Sequence, residues 1–297
     1  MAAEYDRFMQ KIKYMIGLFG ILAAILLSLS ACHSGQEALS SMTQPESTQE
    51  IINGKTVKKN HATFAMTARI LKSHDDAWFP ICSASIVSQD LILTAAHCVI
   101  GSAPSDLRIA FGAQPLTSAG QENRKTRIDV VTKFKTVAVK KIESHPGFGH
   151  TSYDDDMALL LLESEIPAGF RPVSLLSETE AQKISEKKSY PILLVGFGMF
   201  AEEPMVESAI LRGTSVSGRF EGDHLITDQT KGSGGCNGDS GGPAYLKVGK
   251  TYFLVGVTHG PTDGANDCHH EGVWGNPNKE KDFLNQAAEK MGSPTRF

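Results

Sequence analysis

From Ile51 onward, short apolar and β-branched runs alternate with turns of Gly, Pro, Asp and Ser, as at Leu107–Phe111, Val137–Val139, Ile192–Val195 and Phe253–Val257. Runs this short, so closely punctuated, suit strands and not helices. They predict an all-β chain, either a sandwich or a closed barrel. One segment departs from the pattern. Phe283, Leu284, Ala287, Ala288 and Met291 recur at helical spacing among Asn, Gln, Lys and Glu, which predicts a C-terminal helix with one apolar stripe packed on the body. No internal repeat is detectable.

The 297 residues, 41% hydrophobic and 21% charged, suffice for one large or two small cores. A net charge of −4 and the lack of a long Lys/Arg run argue against nucleic acid as a partner. Lys140-Lys141 and Lys187-Lys188 read as solvated surface.

The N-terminus reads as an address. After Arg7, Lys11 and Lys13, an apolar stretch from Tyr14 to Leu29 has the length of a signal core and is marginal for a membrane span. It ends in Leu29-Ser30-Ala31-Cys32, which resembles the bacterial lipobox, where the cysteine is lipidated and becomes the mature N-terminus. Ser30 and Ala31 also satisfy an ordinary signal-peptidase site, so plain secretion stays open, and Met9 is an alternative start. Residues 1–31 are thus expected to be a signal peptide. Residues 32–50, rich in Ser, Gln, Thr and Glu, cannot bury enough surface to offset ordering entropy, and are expected to be a flexible tether or propeptide.

Chemistry concentrates in three places. Cys236-Asn237-Gly238-Asp239-Ser240-Gly241-Gly242-Pro243 sets one serine among glycines, leaving its hydroxyl and neighbouring amides open to a substrate. Leu93-Thr94-Ala95-Ala96-His97-Cys98 puts an imidazole at the end of an apolar run, and Asp154-Asp155-Asp156 precedes another at Met157. A serine needs an adjacent base to become a nucleophile, and that base needs a carboxylate to hold its tautomer. The order His, Asp, Ser and the local composition do not fit an α/β-hydrolase, which runs Ser, Asp, His around a strand-turn-helix.

On these motifs the chain resembles the trypsin/chymotrypsin-type serine proteases from about Ile51 to its end. The resemblance implies two antiparallel six-stranded β-barrels (51–167 and 168–297) with a C-terminal helix. It implies His97 as general base, Asp156 as orienting acid, Ser240 as nucleophile, and the Gly238 and Ser240 amides as oxyanion hole, with no cofactor or metal. Cys82 with Cys98 and Cys236 with Cys268 match disulfides of the family, and Cys32 is left for a lipid that would tie the precursor to a membrane. The expected product is an exported monomeric endopeptidase acting on proteins or peptides.

Ile51-Ile52-Asn53-Gly54 resembles the family's mature N-terminus, whose freed amine pairs with the acid before the nucleophile, here Asp239. Glu50 stands where Arg or Lys is usual, so the cleaving enzyme stays open among a Glu-selective protease, self-cleavage and no cleavage. The resemblance puts Gly234 at the specificity-pocket floor, Gly260 and Gly272 on its walls, and Thr258-His259-Gly260 along the substrate backbone. An open uncharged pocket favours large apolar or aromatic side chains. His259, His269 and His270 leave a Glu-selective alternative, although His259 is expected to point toward distant subsites. Thr258 is expected to present its hydroxyl to Asp156, and Asp154 and Asp155 to face solvent, with calcium as a lesser option. A non-catalytic binding protein on this fold is the contrasting class.

Overall fold

The computed structural model describes residues 51, 54–75, 77–112, 134–149, 153–184, 188–201, 206–207, 210–262 and 268–297. Residues 1–50, and with them Cys32, the signal core and the tether, lie outside the described residues. Among the described residues no helix is long and apolar enough to cross a membrane.

A short strand β1 (Lys55–Thr56) is followed by β2 (Thr67–His74), β3 (Ala77–Ile86), β4 (Leu91–Thr94), β5 (Leu107–Phe111), β6 (Lys135–Ser144) and β7 (Ala158–Leu162). β2 to β7 close into an antiparallel barrel in the order β2-β3-β4-β7-β6-β5. β4 and β7 are buried along their whole lengths, which is why Leu91–Thr94 and Ala158–Leu162 are continuous apolar runs and do not alternate.

After β8 (Ser174–Leu175) and a one-turn helix α1 (Glu178–Ala181), the chain forms β9 (Tyr190–Gly196) and a small hairpin of β10 (Met199–Ala201) and β11 (Val206–Glu207). It continues through β12 (Arg212–Glu221), β13 (His224–Asp228), β14 (Pro243–Val248), β15 (Thr251–Pro261) and β16 (Glu271–Gly275). The pairing runs β12-β13-β16-β15-β14-β9, and β9 pairs back onto β12, so a second six-stranded barrel closes. β1 is added to this barrel through β12, and Ile51 is buried in its core with Ile192, Leu194, Val216 and Trp274.

The helix α2 (Lys281–Met291) returns to the first barrel. Leu284, Ala287, Ala288 and Met291 join its core, Lys141 Nζ donates to the Met291 carbonyl at 3.1 Å, and Gly292 ends the helix in the left-handed conformation. The barrels are also tied together directly. Tyr245 of β14 is fully buried, with its hydroxyl 3.0 Å from Thr67 Oγ1 of β2, and Arg69 of β2 donates to the Phe197 carbonyl at 3.2 Å.

Candidate active site

His97 sits in a one-turn 3-10 helix, Ala96–Cys98, that follows β4 directly. Cys98 is bonded to Cys82 on the neighbouring β3, which fixes that turn to the barrel wall. Asp156 precedes β7, the other neighbour of β4, so both side chains emerge from the same end of adjacent strands. Asp155 takes a left-handed conformation (φ 60°), which aspartate tolerates, and the chain reverses there so that Asp156 points inward.

Asp156 is 3% exposed and holds His97 twice. Oδ1 accepts from the His97 backbone amide at 2.9 Å, and Oδ2 from its ring Nδ1 at 2.6 Å. A carboxylate only accepts, so Nδ1 carries the proton and Nε2 is left as the basic atom. Burial pushes the Asp156 carboxyl up, but hydrogen bonds from His259 and His97 outweigh it and hold the group well below the ordinary carboxylate range.

The glycine-rich loop comes in from the second barrel. Gly241 (φ 73°) lies so close to β4 that a Cβ would fall 2.0 Å from Thr94 Oγ1 and 2.9 Å from the Ala95 amide. This packing sets the residue after Ser240 against Thr94 and Ala95, which precede His97 by three and two positions. The Ser83 amide donates to the Ser240 carbonyl at 2.9 Å, and Ser83 Oγ donates to the Gly238 carbonyl at 3.0 Å, so β3 clamps the loop from below. The amides of Asp239, Gly241 and Gly242 are spent on Cys236, Thr258 and Asp239 carbonyls. Among the described residues, the Gly238 and Ser240 amides and the Ser240 hydroxyl donate to nothing, His97 included.

Asp239 is almost fully buried. Its carboxylate accepts from the Gly198 amide at 2.8 Å and the Cys236 amide at 2.9 Å, yet burial still pushes it up to about 7, with Arg69 opposing. Ile51 is buried but is not among the hydrogen-bond donors to Asp239, and its φ of 30° is unusual for a β-branched residue. Cys236 is bonded to Cys268, so both cysteine pairs are formed. Such bonds form in an oxidising, export-type setting.

A model described as Trypsin matches residues 51–275. The chain belongs to the trypsin family. It is therefore a serine endopeptidase, a hydrolase. The trypsin-family match opens at Ile51, and the two closed barrels with a terminal helix are this family's fold. The chain is 25% identical to "Trypsin zeta" of Drosophila erecta over 86% of its length and 92% of that protein, and 25% identical to "Chymotrypsin-like elastase family member 1" of Macaca fascicularis, covering 72% and 80%. It is 29% identical to "CLIP domain-containing serine protease B9" of Anopheles gambiae over 63% of this chain, spanning about half of that relative (51%).

Three expectations need correction. His259 does not point to distant subsites: its Nδ1 bonds Asp156 Oδ2, and its ring stands edge-on to that of His97 with centroids 5.5 Å apart. Thr258 does not serve Asp156: its hydroxyl donates to the Gly242 carbonyl at 2.9 Å, its amide donates there too, and its carbonyl accepts from Gly241. Asp154 does face solvent, 3.4 Å from His224, whereas Asp155 is half-buried, 3.4 Å from His145.

The pocket expected around Gly234 and Gly272 is partly filled. Buried Gln229 accepts from the Gly235 amide at 2.7 Å and donates to the Gly235 and Cys268 carbonyls. A Cβ on Gly234 would fall 2.3 Å from Gln229 Cδ, and one on Gly272 3.1 Å from its Oε1, whereas Gly260 faces open space. A glutamine seven residues before the Cys236–Pro243 loop carries no sequence signal of this role.

His97, Asp156 and His259 offer ligand atoms within 4.8 Å of one another, as do His145, Asp155 and Glu280. The first set is drawn together at hydrogen-bond length, 2.6 Å, shorter than the ~3.3 Å that tetrahedral ligands of one zinc ion keep. In the second, the two carboxylates approach opposite ring nitrogens of His145. Neither fits a metal centre.

Proposed function

We propose that this endopeptidase cleaves peptide bonds through an acyl-enzyme formed on Ser240. The observation that carries the reading is the double hold of buried Asp156 on His97, in a structure whose glycine-rich loop leaves the Gly238 and Ser240 amides without acceptors. His97 Nε2 takes the Ser240 proton as Oγ attacks the carbonyl carbon. The resulting oxyanion accepts from the Gly238 and Ser240 amides, which donate to no other group among the described residues. The proton then passes to the leaving amine, and water, deprotonated by the same imidazole, releases the acid and restores Ser240. Ser240→Ala tests the assignment: kcat should fall about 10⁶-fold with the fold intact.

The primary pocket takes an uncharged side chain, since Gly234 supplies no carboxylate. The sequence alone favours large apolar or aromatic residues. Gln229, packed against Gly234 and Gly272, makes the floor higher, so leucine and methionine fit better than tyrosine or tryptophan. Comparison of peptides differing only before the scissile bond tests this.

Cleavage after Glu50 would free the Ile51 amine to neutralise Asp239, whose burial without a cationic hydrogen-bond partner disfavours its charge. Lipidation at Cys32 would anchor the precursor, and cleavage would release a monomeric domain, because both described disulfides lie beyond Ile51. The anchor rests on Leu29–Cys32 alone, and the relatives named, from two insects and a macaque, lend it no support. N-terminal sequencing and mass of the native protein test both steps.

A further inference from the structure

Asp156 is bonded by two imidazoles. The register of β15 against β16 slips between Thr258 and Gly260, which makes His259 the extra residue of a bulge. A bulge re-aims one side chain out of the strand's alternation. Here it sends the His259 ring to Asp156 Oδ2, the oxygen that already takes His97 Nδ1 at 2.6 Å. Tyr153 closes the other side of His259, edge to face with centroids 5.0 Å apart, its hydroxyl spent on the Thr262 carbonyl.

We infer that His259 is a positioning residue for the general base, acting through the carboxylate it shares with His97. The inference rests on the roles proposed for His97 and Ser240. Asp156 Oδ1 is occupied by the His97 amide, so both ring donors draw on one oxygen. A second donor there takes part of the negative charge that would otherwise stabilise imidazolium on His97. If His259 gains a proton, a like charge also stands 5.5 Å away, ring to ring. Both effects oppose protonation of His97. Asp156 therefore stabilises the imidazolium formed on His97 during turnover less than it would with that ring as its one partner.

Among the described residues, the titratable groups around His259 are few. His97 faces it from the 3-10 turn, and Asp156 and Tyr153 face it from the segment before β7. Asp154 of that segment is engaged by His224, and Glu271 on the paired strand β16 is engaged by Arg219 at 2.6 Å.

His259→Gln keeps a donor without a titrating ring, and His259→Phe keeps a ring without a donor. In the processed enzyme, the acid limb of kcat/KM should move to higher pH in His259→Phe, and less in His259→Gln. A limb that stays in place in both folded variants overturns the inference. A second measurement does not depend on catalysis. The low-field proton spectrum of the wild-type protein should show two imidazole N–H resonances, of which both variants lose one while the other moves. A single resonance, unchanged by either substitution, overturns the inference even if peptides are cleaved. Two resonances with no hydrolysis would instead count against the proposed reaction and leave the shared carboxylate standing.

Discussion

Asp156 grips His97 at two points, the backbone amide at 2.9 Å and ring Nδ1 at 2.6 Å, so one buried carboxylate sets both the place and the tautomer of the imidazole. Geometry and chemistry are therefore lost by different substitutions. Asp156→Asn retains an acceptor for one contact but can present an amide N–H to the ring, which favours the wrong tautomer. We expect kcat to fall about 10⁴-fold with little change in KM. Steady-state kinetics on the folded variant checks this.

The same carboxylate ties stability to acid. Its proton affinity is depressed in the folded chain, so the unfolded chain binds the proton first as pH falls, and the stability contributed above the unfolded value of 3.8 is lost progressively below it. Denaturant titrations from pH 5 to pH 2 should show this fall. Asp156→Asn should flatten it.

Asp239 has the opposite sign. Raised to about 7 from an ordinary 3.8, it keeps its proton in the folded chain while the unfolded chain gives it up. Before cleavage, stability should therefore decline as pH rises from about 4 to about 7 and then level off. A chain beginning at Ile51, with its ammonium beside the carboxylate, should lose that decline. Thermal unfolding of both forms across this window decides the matter; identical profiles would remove Asp239 as the partner of the new N-terminus.

The pocket prediction centres on Gln229. Gln229→Ala removes the group lying against Gly234 and Gly272, so cleavage after tyrosine and phenylalanine should rise relative to leucine, by about 10-fold. An unchanged profile would place substrate specificity elsewhere.

Packing between the glycine loop and β4 is equally testable. Gly241→Ala combines a left-handed backbone with a Cβ 2.0 Å from Thr94 Oγ1. It should destabilise the protein by about 1–3 kcal/mol and reduce labelling of Ser240 more than it reduces folding. Parallel denaturant and labelling experiments separate the two.

What could be read from the sequence follows from what repeats locally. Leu107–Phe111 becomes β5 because its composition alone favours a buried strand, and the stripe at 284, 287, 288 and 291 packs as its spacing requires. The loop around Ser240 and the segments carrying His97 and Asp156 were legible because each sits at the edge of an apolar run. The course of the His259 side chain was not, since a one-residue slip between strands leaves no mark on composition. Gln229 was missed for a related reason: its partners, Gly235 and the Cys268 carbonyl, are backbone groups that any sequence supplies. The clamp by Ser83 likewise depends on a fold in which β3 passes beneath a loop from the other barrel.

The central claim is that Ser240 is activated by His97. Reaction of the processed protein with a serine-reactive phosphonate, followed by peptide mapping, addresses it directly. The account predicts one adduct, on Ser240, that disappears in His97→Ala while the fold persists. A folded, processed protein that remains unlabelled, or that is labelled equally well without His97, would contradict it.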